Sequence, residues 1–413
     1  MNRKDSPMTC NQTELFELLH TKKQDRLLET LRGLSASEQE AMTKELQSVN
    51  FPFMERASEK NGKTYDIAPI DIFTADRADA ERETLTQIGL SAIHANKVGA
   101  VLLCGGQGTR LGFPHSKGMF DMGLTRPLYI FELHFAYLLK IAIMAKNFFP
   151  VFIMTSIYND AEIREFLALH DYFGYDKNAV YFYTQNMAHA TDFDGNLLLE
   201  SPESLVKAPD GNGGWFTALA DAGLLPLAHR LGLEWFNVVS LDNVLQRTVD
   251  PVFVGATIRE QKICGAKVIR KATPDERIGL ICQNHGKPAV IEYFELDKLL
   301  ANENISIEGI DYGVILNYLF HINEMERTLT EKPLPVHKAK KKIPYWDGET
   351  YIKPTTENGY KYEMLATDLV DYMASCLPFE VRREAEFAPV KNKTGVDSVE
   401  SAREMLQKAG ITL

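Results

Sequence analysis

The alternation of short apolar runs with helical patterns from residue 98 onward constrains the fold most strongly. The apolar runs, which are suited to buried strands, cover residues 98–104, 150–155, 180–184 and 235–241. Between them the sequences "PLYIFELHFAYLLKIAIMAK" and "NDAEIREFLALHDYF" carry helical periodicity. Strands that alternate with helices favour a mainly parallel sheet with helices on both faces. The sequence therefore predicts an α/β fold with a mixed, mainly parallel sheet.

The segments around this core predict the domain organisation. Residues 1–95 are predicted to form a helical N-terminal region, with an S-x-x-E capping box at Ser37 and Glu40. The stretch "GLICQNHGKPAVIEYFEL" predicts an antiparallel hairpin that turns at His285-Gly286-Lys287. We assign residues 96–345 to the catalytic core. We assign residues 346–413 to a small C-terminal α+β domain with helices near 360–375 and 398–408.

Composition restricts the classes of function. The net charge of −11 argues against general nucleic-acid binding, which needs a broad basic surface. No window approaches 18 consecutive apolar residues, so no membrane span is expected, and the N-terminus lacks the apolar core of a secretory signal. The scattered, odd-numbered cysteines fit neither a disulfide framework nor a zinc site. They are Cys10, Cys104, Cys264, Cys282 and Cys376. We expect a cytoplasmic protein.

A glycine-rich turn follows the first predicted strand, in "VLLCGGQGTRLGFPHSKGMF". Such a turn offers backbone N–H groups to phosphate, and arginine and lysine side chains add positive charge. The residues that would hold a polyphosphate are Gly105, Gly106, Gly108, Thr109, Arg110 and Lys117. The loop is not a Walker motif, and its G-x-G-x-x-x-G spacing is a poor dinucleotide fingerprint. The turn therefore predicts a phosphate site of another kind.

Polar residues also follow two other predicted strands. Gln185 comes directly after the third strand, and Asp242 lies in "SLDNV" after the fourth. Open parallel sheets bind ligands at the carboxyl ends of their strands. We therefore expect both residues to share one crevice with the glycine loop.

The motif "LCGGQGTRLGFPHSKGMFDMGL" resembles the signature loop of the UDP-sugar pyrophosphorylases, most closely of the UDP-N-acetylglucosamine pyrophosphorylases. The resemblance continues in the family's order through "FYTQNMAHATDFDGNLLLE", "KAPDGNGGWFTAL", "VVSLDNVLQRTVDP", "VIEYFEL" and "YIKP", over roughly residues 70–390. It implies a Rossmann-like nucleotidyltransferase core. It also implies a reaction of UTP with a sugar 1-phosphate, giving a UDP-sugar and pyrophosphate with Mg²⁺.

The resemblance also implies roles for single residues. Besides the loop glycines and Thr109, Gln185 and Gly211 match positions that bind the nucleotide. Three residues match positions around the sugar: Asn212, Glu292 and Val314. Asp242 matches the Mg²⁺ ligand. The residues that match the catalytic cations are Arg110, Lys117 and Lys353, the last of which reaches the α-phosphate in this family.

Two positions depart from the family pattern. Ser116 stands before Lys117 where the family usually has proline, and Val314 stands where the acetylglucosamine enzymes carry asparagine. The loss of that amide leaves glucose, galactose or a broader set of sugars open beside N-acetylglucosamine.

Two other classes of function remain as alternatives. One is a catalytically silent protein that binds sugar nucleotides, and the other, suggested only by the glycine loop, is an NAD(P)-dependent oxidoreductase. The enzyme is favoured over a silent binder because all four charged residues of the family pattern are present. They are Arg110, Lys117, Asp242 and Lys353.

Overall fold

The computed structural model describes residues 12–57, 64–300 and 305–413. The α-helices in these ranges are α1 Gln12–Thr21, α2 Asp25–Gly33, α3 Ala36–Gln47, α4 Phe51–Glu55, α5 Ala75–Ala80, α6 Arg82–His94, α7 Ile130–Ala145, α8 Asp160–Leu169, α9 Trp215–Asp221, α10 Leu225–Arg230, α11 Pro251–Arg259, α12 Tyr293–Leu300, α13 Ile322–Glu331, α14 Asp368–Tyr372, α15 Arg383–Glu386 and α16 Val399–Lys408. No helix in the described part of the chain is both long enough and apolar enough to cross a bilayer.

The strands in the same ranges are β1 Ile67–Ala68, β2 Val98–Leu103, β3 Val151–Thr155, β4 Val180–Thr184, β5 Met187–His189, β6 Thr191–Asp192, β7 Leu199–Ser201, β8 Ser204–Leu205, β9 Lys207–Pro209, β10 Trp235–Ser240, β11 Cys264–Arg270, β12 Leu280–Asn284, β13 Lys287–Ile291, β14 Tyr312–His321, β15 His337–Lys341, β16 Tyr345–Trp346, β17 Tyr351–Ile352, β18 Gly359–Glu363 and β19 Leu377–Glu380. The four predicted strands correspond to β2, β3, β4 and β10, and the predicted hairpin to β12 and β13.

The chain forms two compact units, of which the larger comprises Thr64–Gln185, Gly214–Leu334 and Ala366–Leu413. Its ten-stranded sheet has the path β1-β12-β14-β10-β2-β3-β4, with β13 beside β12, β11 beside β14, and β19 beside β11. Strands β10, β2, β3 and β4 pair in parallel, as do β11 and β19, whereas the other pairings are antiparallel. The expected α/β fold with a mixed sheet is confirmed.

The interior of the larger unit follows from its strand sequences. Every residue of β2 and β3 is buried, as expected for apolar strands in the middle of a parallel region. Helices α6 and α11 pack closely through two glycines. A Cβ on Gly89 would lie 2.0 Å from the carbonyl oxygen of Pro251, and one on Gly255 would lie 1.9 Å from that of Leu85. This contact between helices therefore requires glycine at both positions.

The smaller unit comprises Asn186–Gly213, Pro335–Leu365 and the described residues before Thr64. It contains helices α1–α4 and three small sheets, β15-β18-β6, β17-β16-β7-β8 and β5-β9. These boundaries differ from the predicted divisions at residues 95 and 345. The physical reason is non-local pairing. The segment 186–213 leaves the core and pairs with the segment 335–365, for example at Gly359 and Asp192.

Two local predictions differ from the structure. The capping box of α3 uses Ser35 and Glu38, because Ser35 has the extended backbone of an N-cap and its hydroxyl accepts from the Glu38 N–H. The helix predicted near 360–375 is present only as the five-residue helix α14, and strand β18 occupies the beginning of that range. Strand β18 forms because β15 and β6 supply pairing partners that are distant in sequence. The predicted helix near 398–408 is present as α16.

Candidate active site

The carboxyl ends of the parallel strands define the candidate site in the larger unit. Strand β2 leads into Gly105, β4 into Gln185 and β10 into Asp242. Because β10, β2, β3 and β4 run in parallel, these ends lie on one edge of the sheet. The structure thus brings together the three strand ends selected from the sequence.

The glycine loop after β2 is held in shape by its own backbone. The Gly108 N–H donates to the carbonyl of His115 at 2.9 Å, and the Phe113 N–H donates to that of Gly108 at 3.1 Å. A Cβ on Gly108 would lie 2.9 Å from the Phe113 ring and backbone, whereas nothing lies within 4 Å of one on Gly106. Gly108 is therefore needed for packing, and Gly106 faces open space.

The side chains of the loop differ in their surroundings. Thr109 and Arg110 are exposed, and Arg110 has no ion pair within the described ranges. Lys117 is buried, with 8% of its side chain exposed, and its Nζ donates to Oδ1 of Asp242 at 2.7 Å. The Asp242 side chain is 32% exposed. Arg110 is thus available to a ligand, whereas Lys117 is fixed against the Asp242 carboxylate after β10.

Two buried groups lie close enough to Asp242 for its charge to affect their pKa values. Burial, with a smaller contribution from Asp242, raises the pKa of the Cys104 thiol far above its usual value. Burial lowers the pKa of His134 to about 4, against the opposing effects of Asp242 and the Leu241 carbonyl. His134 is therefore neutral at pH 7, and its Nε2 lies 3.1 Å from that carbonyl oxygen. Neither group is ionised at neutral pH, so Lys117 is the cation that faces Asp242.

Gln185 lies against the first glycine of the loop. Its backbone N–H donates to the Thr155 carbonyl at 2.8 Å, which continues the β3–β4 ladder by one residue. A Cβ on Gly105 would lie only 2.5 Å from Nε2 of Gln185. The absence of a side chain at Gly105 is therefore what allows the amide to occupy its position.

Glu292 and Val314 lie together at another part of the larger unit. Glu292 directly follows β13, and its Oε1 accepts from the Thr367 hydroxyl at 2.7 Å. Val314 is buried in β14 and donates its N–H to the Gly279 carbonyl at 2.9 Å. A Cβ on Gly279 would lie 3.4 Å from Oε2 of Glu292 and 3.5 Å from a Val314 methyl group. The two predicted sugar-contacting residues therefore border the same glycine.

The remaining three predicted residues belong to the smaller unit. Gly211 has a φ of 93°, and a Cβ there would lie 2.2 Å from the Met364 carbonyl oxygen, so only glycine fits. Asn212 begins the short turn that follows. Lys353 comes directly after β17, is exposed, and makes no hydrogen bond or ion pair with the residues that the structure describes. Gly211 and Asn212 are adjacent in one loop, and Lys353 lies on a separate strand.

Three residues that support the site were not predicted from the sequence. Glu162 accepts the Ser116 N–H at 2.7 Å and contacts His115 at 3.1 Å, which fastens the loop before Lys117. Asn159 donates to the Cys104 carbonyl at 3.0 Å. The buried Asn243 accepts the Ala388 N–H and donates to the Glu386 carbonyl. Each lies far in sequence from the group it holds, so a local sequence pattern does not reveal the pairing.

Comparison with known proteins places the chain among the uridylyltransferases of sugar 1-phosphates. Residues 49–412 match the family model described as UTP–glucose-1-phosphate uridylyltransferase. The chain is 36% identical over 343 residues to UDP-N-acetylhexosamine pyrophosphorylase-like protein 1 of Mus musculus, covering 80% of this chain and 68% of that protein. It is 32% identical over 422 residues to the UDP-N-acetylglucosamine pyrophosphorylase of Saccharomyces cerevisiae, covering 97% and 88%.

A solved structure agrees over nearly the whole chain. The uridine diphosphate N-acetylglucosamine pyrophosphorylase of Trypanosoma brucei, in complex with an inhibitor, superposes with a TM-score of 0.80 at 26% identity. The alignment covers 98% of this chain and 86% of that one. The similarity therefore extends through both units.

Proposed function

The chain belongs to the UTP–glucose-1-phosphate uridylyltransferase family, and on this basis we propose that it transfers a uridylyl group from UTP to a sugar 1-phosphate. The products are a UDP-sugar and pyrophosphate, and N-acetylglucosamine 1-phosphate is the favoured acceptor. The observation that carries the proposal is the Lys117–Asp242 pair beside the glycine loop, at the carboxyl edge of the parallel strands.

The reaction needs alignment and charge more than proton transfer. A phosphate oxygen of the sugar 1-phosphate attacks the α-phosphorus of UTP in line, and the bond to pyrophosphate breaks. The attacking oxygen is already an anion, so no catalytic base is required. Positive charge at the transferring and leaving phosphates is therefore the main source of catalysis.

The described geometry suggests a role for each group. Arg110, exposed and without an ion pair among the described residues, is suited to grip phosphate in bidentate fashion. The open face of Gly106 lets phosphate approach the loop backbone. Gln185, whose amide both donates and accepts, would read the uracil, and Gly211 is proposed as a nucleotide-binding residue from its match to the family position. Lys117 would neutralise the leaving pyrophosphate, and Lys353 the α-phosphate.

Mg²⁺ is the cofactor we propose, with Asp242 as its protein ligand. The described residues contain no cluster of three or more histidine, cysteine or acidic side chains that could hold a metal by itself. A single, partly exposed carboxylate fits Mg²⁺, which is commonly held by one or two carboxylates together with substrate phosphates and water. When bound, the ion would neutralise charge on the phosphate oxygens.

The acceptor sugar is inferred from the names of the relatives and from the residues that match sugar-contacting positions. The relatives in Mus musculus and Saccharomyces cerevisiae are named for N-acetylhexosamine and N-acetylglucosamine. Asn212 and Glu292 would supply polar groups for sugar hydroxyls, but Val314 places a buried methyl group near Gly279, the glycine that Glu292 also borders. Glucose 1-phosphate or galactose 1-phosphate is therefore the alternative acceptor.

Release of pyrophosphate tests the proposed function. Purified protein with UTP and Mg²⁺ should release pyrophosphate with at least one of four acceptors: the 1-phosphates of N-acetylglucosamine, N-acetylgalactosamine, glucose and galactose. We expect the highest kcat/KM with N-acetylglucosamine 1-phosphate. A preference for an unsubstituted hexose would identify the alternative. Folded protein that binds UTP but releases no pyrophosphate with any acceptor would favour the silent sugar-nucleotide-binding protein.

The contact between Gly105 and Gln185 yields a second test. In the Gly105→Ala variant the new methyl group must displace the Gln185 amide, because the Cβ would lie 2.5 Å from Nε2. We expect KM for UTP to rise by about tenfold, the usual effect of one lost hydrogen bond in a binding site, and the preference for UTP over CTP to fall. Gly33→Ala, where nothing lies within 4 Å of the added Cβ, is the matched control. An unchanged KM and base preference in Gly105→Ala would remove Gln185 from base recognition.

We also propose that the protein works in the cytoplasm. The four cysteines within the described ranges are buried free thiols, as is usual in a reducing compartment.

A further inference from the structure

One hydrogen bond joins Glu292 to a helix far along the chain. The hydroxyl of Thr367, the residue before α14, donates to Oε1 of Glu292 at 2.7 Å across 75 positions of sequence. A second bond lies nearby, because the Val290 N–H of β13 donates to Oδ1 of Asp371 in α14 at 2.8 Å. Two hydrogen bonds thus join the end of β13 to α14 and to the residue that precedes it.

The second oxygen of Glu292 has different neighbours. A Cβ built on Gly279 would lie 3.4 Å from Oε2 of Glu292, 3.5 Å from a Val314 methyl group and 3.1 Å from a Val290 methyl group. The two valines are buried. Oε2 of Glu292 and the methyl groups of the two valines therefore all border Gly279, whereas the Thr367 hydroxyl donates to the other oxygen, Oε1.

An anchored carboxylate recognises a ligand differently from a free one. A glutamate side chain on its own samples several rotamers, and ordering it on binding costs conformational entropy. A hydrogen bond to one oxygen removes part of that cost before the ligand arrives and fixes the direction of the other oxygen. Fixed acceptors discriminate strongly between ligands that place a hydroxyl correctly and those that do not.

We propose that Thr367 is a positioning residue for sugar recognition, which holds Oε1 of Glu292 so that Oε2 accepts a ring hydroxyl of the acceptor. This inference rests on the proposed function. The substrate class it defines is a sugar 1-phosphate with a hydroxyl directed at Glu292 and an apolar ring edge against Val314. Thr367 would act through Glu292, so its removal should affect sugar binding and epimer discrimination, leaving UTP binding intact.

The test compares Thr367→Val, which keeps the shape but removes the hydroxyl, with Thr367→Ser, which keeps the hydroxyl. For Thr367→Val we expect KM for the sugar 1-phosphate to rise about tenfold, with KM for UTP changed less than twofold. We also expect the kcat/KM ratio between epimers, such as the N-acetylglucosamine and N-acetylgalactosamine 1-phosphates, to move toward one. Thr367→Ser should restore most of both. Thr330→Val, which removes an exposed hydroxyl bonded only within its helix, is the control for this exchange.

The outcomes distinguish failure of the positioning role of Thr367 from failure of the proposed function. An active wild type whose KM values and epimer ratio are unchanged in Thr367→Val would overturn the positioning role alone. An equal rise in KM for UTP and sugar would do the same, since it would indicate general damage to the structure. If Thr367→Val does not fold, as judged by its thermal midpoint, Thr367→Ala is measured in its place. A wild type without pyrophosphate release would overturn the proposed function, and this inference with it.

Discussion

The Asp242→Asn variant should release pyrophosphate about a thousandfold more slowly than the wild type. The substitution removes the negative charge that faces Lys117 Nζ at 2.7 Å, and it removes the carboxylate we propose as the Mg²⁺ ligand. Loss of a single group that stabilises transition-state charge commonly lowers kcat by a factor of about 10²–10³, and loss of a phosphate-stabilising cation by about 10³–10⁵. The measurement is steady-state pyrophosphate release, with UTP affinity measured separately by calorimetry.

Three further variants make this result specific. Asp311→Asn removes an exposed carboxylate whose nearest cation, Arg270, is 4.0 Å away, and it should leave kcat unchanged. Lys117→Met should lower kcat by about 10²–10³-fold. The double variant should lose less than the product of the two single losses, because the partners are in direct contact. Activity of Asp242→Asn within tenfold of the wild type would show that this carboxylate is not part of the catalytic machinery.

The Lys267→Met variant should lose about 3–5 kcal/mol of the free energy of unfolding. Lys267 is fully buried in β11, and its Nζ lies 2.8 Å from Oδ2 of Asp250 and 2.5 Å from Oε2 of Glu386. Burial, together with the Asp250 charge, raises the pKa of Glu386 even with the lysine present. Without the lysine, two carboxylates remain buried, and among the described residues Arg247, 3.4 Å from Glu386, is the cation left to pair with them. Urea denaturation followed by tryptophan fluorescence measures the loss.

The pH dependence identifies the cause of that loss. In the variant, burial raises the carboxylate pKa values above those of the unfolded chain, so the stability deficit grows as pH rises and shrinks as pH falls. We expect a smaller deficit at about pH 5 than at about pH 8. Lys271→Met, which removes one bond to the Pro274 carbonyl, should cost less than about 0.5 kcal/mol. A deficit that is independent of pH would point to a packing defect instead of unpaired charge.

The sequence predicted the elements whose signal is local. Strands β2, β3, β4 and β10 and helices α7 and α16 appear close to their predicted positions, because periodicity and turn residues are properties of short segments. The edge that carries the glycine loop, Gln185 and Asp242 was also predictable, since parallel strands must place their carboxyl ends together. Residues 101–120 by themselves predict phosphate binding, because a glycine-rich turn with arginine and lysine follows an apolar strand.

The sequence could not predict elements that depend on distant partners. Strand β18 was predicted as helix, because its pairing with β15 and β6 is invisible in a local window. The division into two units followed the pairing of residues 186–213 with residues 335–365, and no change in composition marks it. The buried cluster of Lys267, Asp250 and Glu386 has the same origin, since its charged groups come from three separate segments.

By itself, then, the sequence determined the α/β class, the strand edge that carries the site, and the residue types available for phosphate chemistry. The tertiary structure decided which of those residues touch. Lys117 meets Asp242 across 125 positions, and Thr367 meets Glu292 across 75. Local preference fixes secondary structure through bonds within a few residues. Side-chain pairing is determined instead by burial. A charged group removed from water needs a hydrogen-bond or ionic partner, and that partner can come from a segment distant in sequence.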